Sequence, residues 1–363
     1  MRSTRHVAAP VLVGLVAVAA GLMLLAVGCS GNDGSGQTTE DVSSSPSPSV
    51  SGTTGAAGGG AGAANVVQSA PVKHVKVGDL SVGYRVIGPL YSEATGSATP
   101  ATPAPGATSS PGATPPVMPL LLVMGSSGTM DMWSPELVAA LAQERQVVVF
   151  DNRGMGETDD PLGAYPFAQL ADDAAGLIAA LGYDQMDVLG WSMGGDVAID
   201  LAVRHPQRVA ALVSYAGDAG GRTAIPPTKA ALAVLTDTSM PAQERGQKLI
   251  ELLFPASYRS AHPDYATSFP IPTEQSSPKE IGLQNQAIGE WAGVWDQLKD
   301  IACPTLFVTG TEDELTPAQN AVMMAGRVPA SWLVRFPGAG HGLMYQDPQG
   351  LADVVLVFLG TGT

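Results

Sequence analysis

The chain has 363 residues, 45% of them hydrophobic, a formal net charge of −15 and two cysteines, Cys29 and Cys303. So acidic a chain is a poor partner for nucleic acid or for anionic lipid surfaces, and its charge serves solubility. Two cysteines exclude a disulfide scaffold, and Cys303, beside Pro304 and before an apolar run, reads as a buried thiol.

In chain order, Arg2 and Arg5 precede an uncharged apolar stretch over residues 7–28, which closes on Leu25-Ala26-Val27-Gly28-Cys29. This resembles a bacterial lipoprotein signal, although Ala26 stands where Leu, Val or Ile is usual. The resemblance implies that residues 1–28 are removed and that Cys29 is lipidated, becoming the first residue of a protein held at the extracytoplasmic face of the membrane. The alternative is an uncleaved anchor, since the run is long enough to span a bilayer. Residues 29–70 are rich in Ser, Gly, Thr and Pro with few large apolar side chains. They cannot offset their own ordering entropy and are expected to form a disordered tether. Residues 93–116 repeat that composition and are expected to form a low-complexity surface loop.

Residues 72–77 and 80–86 alternate around Gly78-Asp79, a hairpin pattern. Apolar runs at 120–123, 147–150, 209–213 and 305–309, with a further strand opening at Met186, then alternate with helical periodicity at 135–142, 168–181, 197–202 (running up to His205-Pro206) and 317–326. Runs apolar on both faces suit parallel strands covered by helices on both sides. The expected fold class is α/β, a doubly wound, mostly parallel sheet. Its core takes residues 71–217 and 300–363, closed by a strand at 332–336 and a helix at 349–359. Between 218 and 299 the rhythm stops, with helical pieces at 229–235, 242–254 and 278–298 separated by proline-rich loops. This insertion is expected to be a helical cap. It carries Phe254, Tyr258, Tyr265, Phe269, Trp291 and Trp295, which the sequence does not divide between internal packing and a pocket.

The run 186–191 leads into Gly190-Trp191-Ser192-Met193-Gly194 and then an Ala/Ile/Leu-rich helix. That strand, G-x-S-x-G turn and helix form a nucleophile elbow, in which small residues make room for an exposed serine hydroxyl. A serine needs a base, and the base needs an orienting carboxylate. Of the five histidines, His6 lies in the leader, His74 in a first strand, His205 before a proline and His262 in the cap. Only His341 follows a core strand, within Gly338-Ala339-Gly340-His341-Gly342, a loop expected to be mobile enough for its base to swing. Asp313 likewise follows a core strand, in Gly310-Thr311-Glu312-Asp313-Glu314-Leu315-Thr316-Pro317. Loops at the carboxyl ends of parallel strands converge on one ligand.

On these residues the folded part, from about Pro71 onward, resembles an α/β-hydrolase with a cap domain. The order Ser, acid, His and the spacing of Gly310, Asp313 and Pro317 carry the resemblance. It implies Ser192 as nucleophile, Asp313 as triad acid and His341 as base. It also implies an oxyanion hole made by the backbone N–H groups of Met193 and Ser126, although Met124 stands where relatives carry histidine. Asp151-Asn152-Arg153-Gly154-Met155-Gly156 matches a family stretch that braces a loop near the site. The implied activity is that of a carboxylesterase-type serine hydrolase acting on a small acyl substrate through an acyl-enzyme. Two alternatives share the fold, a cofactor-free perhydrolase or haloperoxidase and an aminopeptidase; a third is a small-ligand-binding lipoprotein without turnover. No Cys/His cluster with metal-ligand spacing and no phosphate-binding glycine loop is present, so neither metal nor organic cofactor is expected.

Overall fold

The computed structural model describes residues 65–89, 117–160, 163–237 and 239–360. The expected signal segment, most of the tether and the 93–116 loop lie outside them. The first described element is a correction: Val66–Ser69 forms a short helix (α1) inside the segment expected to be tether. Asn65 caps it by accepting from the N–H groups of Val67 and Gln68, and Val67 is fully buried. Arg85 then holds the carbonyls of Gln68 and Ala70 at 3.1 and 2.6 Å.

Eight strands form one sheet in the order β1-β2-β4-β3-β5-β6-β7-β8. They are β1 (Lys73–Val77), β2 (Leu80–Ile87), β3 (Leu120–Val123), β4 (Val147–Phe150), β5 (Met186–Trp191), β6 (Val209–Tyr215), β7 (Thr305–Gly310) and β8 (Trp332–Phe336). Only β2 runs antiparallel to its neighbours, β1 and β4; every other pairing is parallel. The doubly wound, mostly parallel sheet is therefore observed.

The period of two along each strand explains why helices cover both faces. Leu121, Val123, Val188, Leu212 and Phe307 point to a layer with Leu170, Leu177 and Ile178 of α3 (Ala168–Ala180) and Val197 and Leu201 of α4 (Met193–Arg204). Leu120, Leu122, Leu189, Val213 and Leu306 point the other way. They meet Leu137 and Leu141 of α2 (Pro135–Glu144), with Leu351 and Val355 of the C-terminal helix (Pro348–Gly360). Each such buried side chain contributes about 1.5–3 kcal/mol of transfer free energy.

Between β6 and β7 come α5 (Lys229–Thr236), α6 (Ala242–Leu253), α7 (Ala256–Ala261) and α8 (Pro278–Glu290), none of which adds to the sheet. The helix expected over 278–298 stops at Glu290. Gly293, at φ +79°, turns the chain against Gly220, where a Cβ would lie 2.5 Å from backbone. After β7 follow α9 (Gln319–Ala325), α10 (Leu343–Gln346) and α11 (Pro348–Gly360).

Asp200 of α4 is buried, and its Oδ2 has no hydrogen-bond partner among the described residues. Burial pushes its carboxyl up to about 6, with Asp172 adding to the rise and Arg204 and His205 opposing it. An acid raised in the folded state stabilises below its unfolded pKa and loses that contribution as pH rises through the folded value. Asp200→Asn, neutral and of the same shape, should therefore be more stable than the parent at pH 8. The gain should be about 2 kcal/mol and vanish near pH 4. Urea unfolding midpoints of both proteins at the two pH values test this.

Candidate active site

β5 delivers Ser192 into the left-handed region, at φ 57°, ψ −127°. This is a costly conformation for a residue with a Cβ, and surrounding contacts must enforce it. Its N–H donates to Tyr215 O at 2.9 Å, while its carbonyl accepts from Gly195 N at 2.7 Å. The flanking glycines are required by close approach. A Cβ on Gly190 would lie 1.9 Å from Gly194 O, and one on Gly194 would lie 2.0 Å from Val123 O. Helix α4 starts at Met193, whose N–H has no intrahelical partner and sits at the positive end of the helix dipole.

The loop after β3 lies against this turn. A Cβ on Gly125, the residue before Ser126, would be 3.2 Å from Trp191 O and 3.3 Å from Ser192 Cβ. Met124 is buried, and its carbonyl accepts from Asn152 Nδ2 at 3.0 Å. Asp151 accepts from Met130 N at 2.6 Å and from Glu157 N at 2.9 Å. The stretch 151–156 thus braces the loop, as expected. Burial and then the nearby Glu274 carboxyl push Asp151 well above the usual carboxylate range.

Asp313 and His341 arrive from the loops after β7 and β8. The carboxylate of Asp313 uses both oxygens: Oδ1 accepts from Leu315 N and Thr316 N at 2.9 and 2.8 Å. Oδ2 pairs with His341 Nδ1 at 2.8 Å, and both side chains are buried. A carboxylate can only accept, so Nδ1 carries the proton and Nε2 remains a base.

The loop of His341 is not the mobile one the glycines suggested. Trp191 Nε1 and the Tyr215 hydroxyl both donate to His341 O, at 3.1 and 2.6 Å. Gly342 N donates to Leu253 O at 2.8 Å, and Gly340 N to Gln346 Oε1 at 2.7 Å. The glycines serve crowding instead, since a Cβ on Gly340 would meet Leu253 O at 2.7 Å. The imidazole packs against Trp191, ring centroids 5.5 Å apart and planes tilted by 42°, and Trp191 is the residue that precedes Ser192 in the chain.

A cavity of about 370 Å³ opens at Ser192 and Met193, walled by Ile225, Pro226, Ile288, Trp291 and Leu315 and by the carboxyls of Asp196 and Asp218. Asp218 N donates to Asp196 Oδ1 at 2.7 Å. Burial raises both carboxyls, and Asp218 raises Asp196 further. The six cap aromatics now divide. Phe254 packs with Tyr258, Tyr265 and Phe269. Trp291, stacked on Phe167, and Trp295 border cavities instead. His262 is exposed and stacks on Tyr258. Cys303, expected to be buried, is half-buried and keeps a free thiol whose pKa burial raises. Among the described residues, no group of three or more His, Cys, Asp or Glu could hold a metal ion.

The arrangement presents a strained serine, a histidine oriented by a carboxylate, and the loop after β3 lying against the elbow. The alpha/beta hydrolase fold family profile matches residues 118–348. The chain belongs to this family. As an α/β-hydrolase it is 30% identical over 250 residues to the putative carbamate hydrolase RutD of Caulobacter sp. strain K31. That match covers 66% of this chain and 90% of the relative. It is 31% identical over 232 residues to 2-hydroxymuconate semialdehyde hydrolase of Pseudomonas putida, covering 60% and 78%. The enol-lactonase from Burkholderia xenovorans LB400 superposes with a TM-score of 0.61 at 21% identity, over 80% of this chain and 99% of that one, a likeness of fold.

Trp191 and Tyr215, which fix the His341 carbonyl of this α/β-hydrolase, were not legible as site residues. Trp191 had a signal, being inside the elbow, but a tryptophan there reads equally as strand core.

Proposed function

We propose that the chain is a serine hydrolase that acts on carboxylic esters or related acyl compounds through an acyl-enzyme intermediate. The observation that carries this reading is the 2.8 Å contact between Asp313 Oδ2 and His341 Nδ1, in a loop tied to Trp191 beside Ser192. In the proposed reaction His341 Nε2 takes the Ser192 proton as Oγ bonds to the substrate carbonyl carbon. The resulting oxyanion is held by the N–H groups of Met193 and Ser126. Collapse breaks the bond to the leaving alkoxide, which receives the proton from His341; water then repeats the sequence and frees the acid. The relatives' names support an acyl class wider than simple esters, because a carbamate also offers a carbonyl with a heteroatom leaving group. The apolar wall of Ile225, Pro226, Ile288 and Leu315 suits a short, uncharged acyl chain.

A fluorophosphonate probe followed by peptide mass spectrometry should place the label on Ser192. A panel of p-nitrophenyl esters and the matching anilides and carbamates should be turned over fastest as esters. No label on folded protein rejects acyl transfer, and faster anilide cleavage moves the reading to the aminopeptidase branch.

The site of action is proposed from Gly28-Cys29 and the basic start of the leader. Cys29 carries diacylglycerol, and two acyl chains hold a tethered domain stably at the membrane. Mass spectrometry of the purified native protein should find a modified Cys29 at the N-terminus. Unchanged membrane retention in Cys29→Ala would reject the lipid anchor.

A further inference from the structure

Helix α8 of the cap lays one face across the core, at positions spaced three or four residues apart. Ile281 packs on Met155 of the bracing stretch, and Ile288, one turn short of Trp291, walls the cavity at Ser192. Between them sits Gln284, fully buried. Its Oε1 accepts from Ser127 N at 2.6 Å, which fixes the orientation of the carboxamide, since only the oxygen can accept. Next to it, Ser126 Oγ reaches Asn285 Oδ1 at 3.5 Å.

Ser127 is the residue after the proposed second oxyanion donor, and three features make it need a partner. It is fully buried, so its N–H has no water to turn to. It stands at φ +60°, where a non-glycine residue persists only when its surroundings hold it. Its own turn supplies little, since the bond from Gly128 N to Gly125 O is long at 3.3 Å. The peptide between Ser126 and Ser127 is thus aimed from outside the core, by a cap side chain 157 residues away. Holding that peptide constrains the preceding one, which carries the Ser126 N–H and is joined to it through the Ser126 Cα. Meanwhile the Nε2 of Gln284 is buried with no partner among the described residues, so the side chain is retained despite an unmet donor.

We propose that Gln284 is the positioning residue of the oxyanion loop: its carboxamide oxygen holds Ser127 N–H and thereby aims Ser126 N–H at the substrate oxygen, so that the hole is complete only with α8 seated. This rests on the acyl-transfer reading above. It makes the cap part of the rate-determining electrostatics as well as a wall of the pocket.

The test uses Gln284→Met, close in size but without the acceptor, and Gln284→Asn, which keeps the amide but shortens its reach. Both are assayed with p-nitrophenyl butyrate and titrated with butane-1-boronic acid, whose tetrahedral serine adduct places an oxygen in the hole. Removing an oxyanion donor outright costs about a hundredfold to a thousandfold in kcat, so loss of its positioning should cost about thirtyfold to a hundredfold. KM should change less than about threefold, and boronate affinity should fall in proportion to kcat. A residue serving only to fold the cap would lower thermal stability without this joint fall. Folded variants that keep kcat within threefold of the parent, or that change KM alone, overturn the inference. Fluorophosphonate labelling of the parent separates the failures: no label on the parent sinks the acyl-transfer reading, whereas a labelled parent with unimpaired variants sinks only the role of Gln284.

Discussion

Ser192→Ala should fold like the parent and hydrolyse p-nitrophenyl butyrate about a million-fold more slowly, and His341→Ala should do the same. The reason is that the two side chains act as one unit. Without the base, the hydroxyl keeps its proton and remains a poor nucleophile; without the hydroxyl, the imidazole has nothing to activate. The double variant should accordingly be little worse than either single one, against the multiplication expected of independent parts. Circular dichroism should show both folded, because neither change removes a Cβ-level contact of the elbow: the glycines at 190 and 194 carry the close approaches. A folded Ser192→Ala that retained parental turnover would reduce the elbow to a turn.

Asp313→Asn is expected to cost about ten-thousandfold, less than loss of the nucleophile. The substitution keeps the size of the side chain, and its carbonyl oxygen can still accept from Leu315 N and Thr316 N, which now fill Oδ1. The amide NH₂ then points where Oδ2 meets His341 Nδ1. Two donors cannot face each other, so the imidazole must take the other tautomer, with Nε2 protonated and unable to accept from Ser192. Urea unfolding separates this from a folding defect: the rate should fall while the unfolding midpoint moves by little. Loss of less than tenfold would remove Asp313 from the triad and direct attention to Glu312 or Glu314.

The parts of the molecule legible in the sequence are those where one local rule dominates. Residues 120–123 and 147–150 read as buried parallel strands because every side chain is apolar, and both became strands with the same bounds. The elbow was legible because the crowding that demands glycine at 190 and 194 is local. The candidate triad came from three loops each placed after a core strand, together with the order Ser, acid, His on which the resemblance to the family rests. What escaped reading depends on tertiary contact. The 66–69 helix is four residues long, too short for periodicity, and exists because Val67 finds the core and Arg85 takes its carbonyls. The helix read through to 298 ends eight residues early because Gly293 must approach Gly220, which no helical pattern announces. The loop at 338–342 looked mobile because glycine usually marks freedom, yet Trp191, Tyr215 and Leu253 hold it. Gln284 is one polar residue in a polar helix and acquires meaning only beside Ser127.

The bond from Gly342 N to Leu253 O bears on how such enzymes diversify. Leu253 ends α6, so the helix that closes one side of the cap is also a scaffold for the backbone of the proposed base. The opposite side, through Gln284, touches the loop of the second oxyanion donor. A lineage that exchanged residues 218–299 for the cap of a cousin would therefore change more than what fits in the pocket. It would also release the loops of the proposed base and of the proposed second oxyanion donor, so an exchange of the cap would act on the candidate site as well as on the pocket wall.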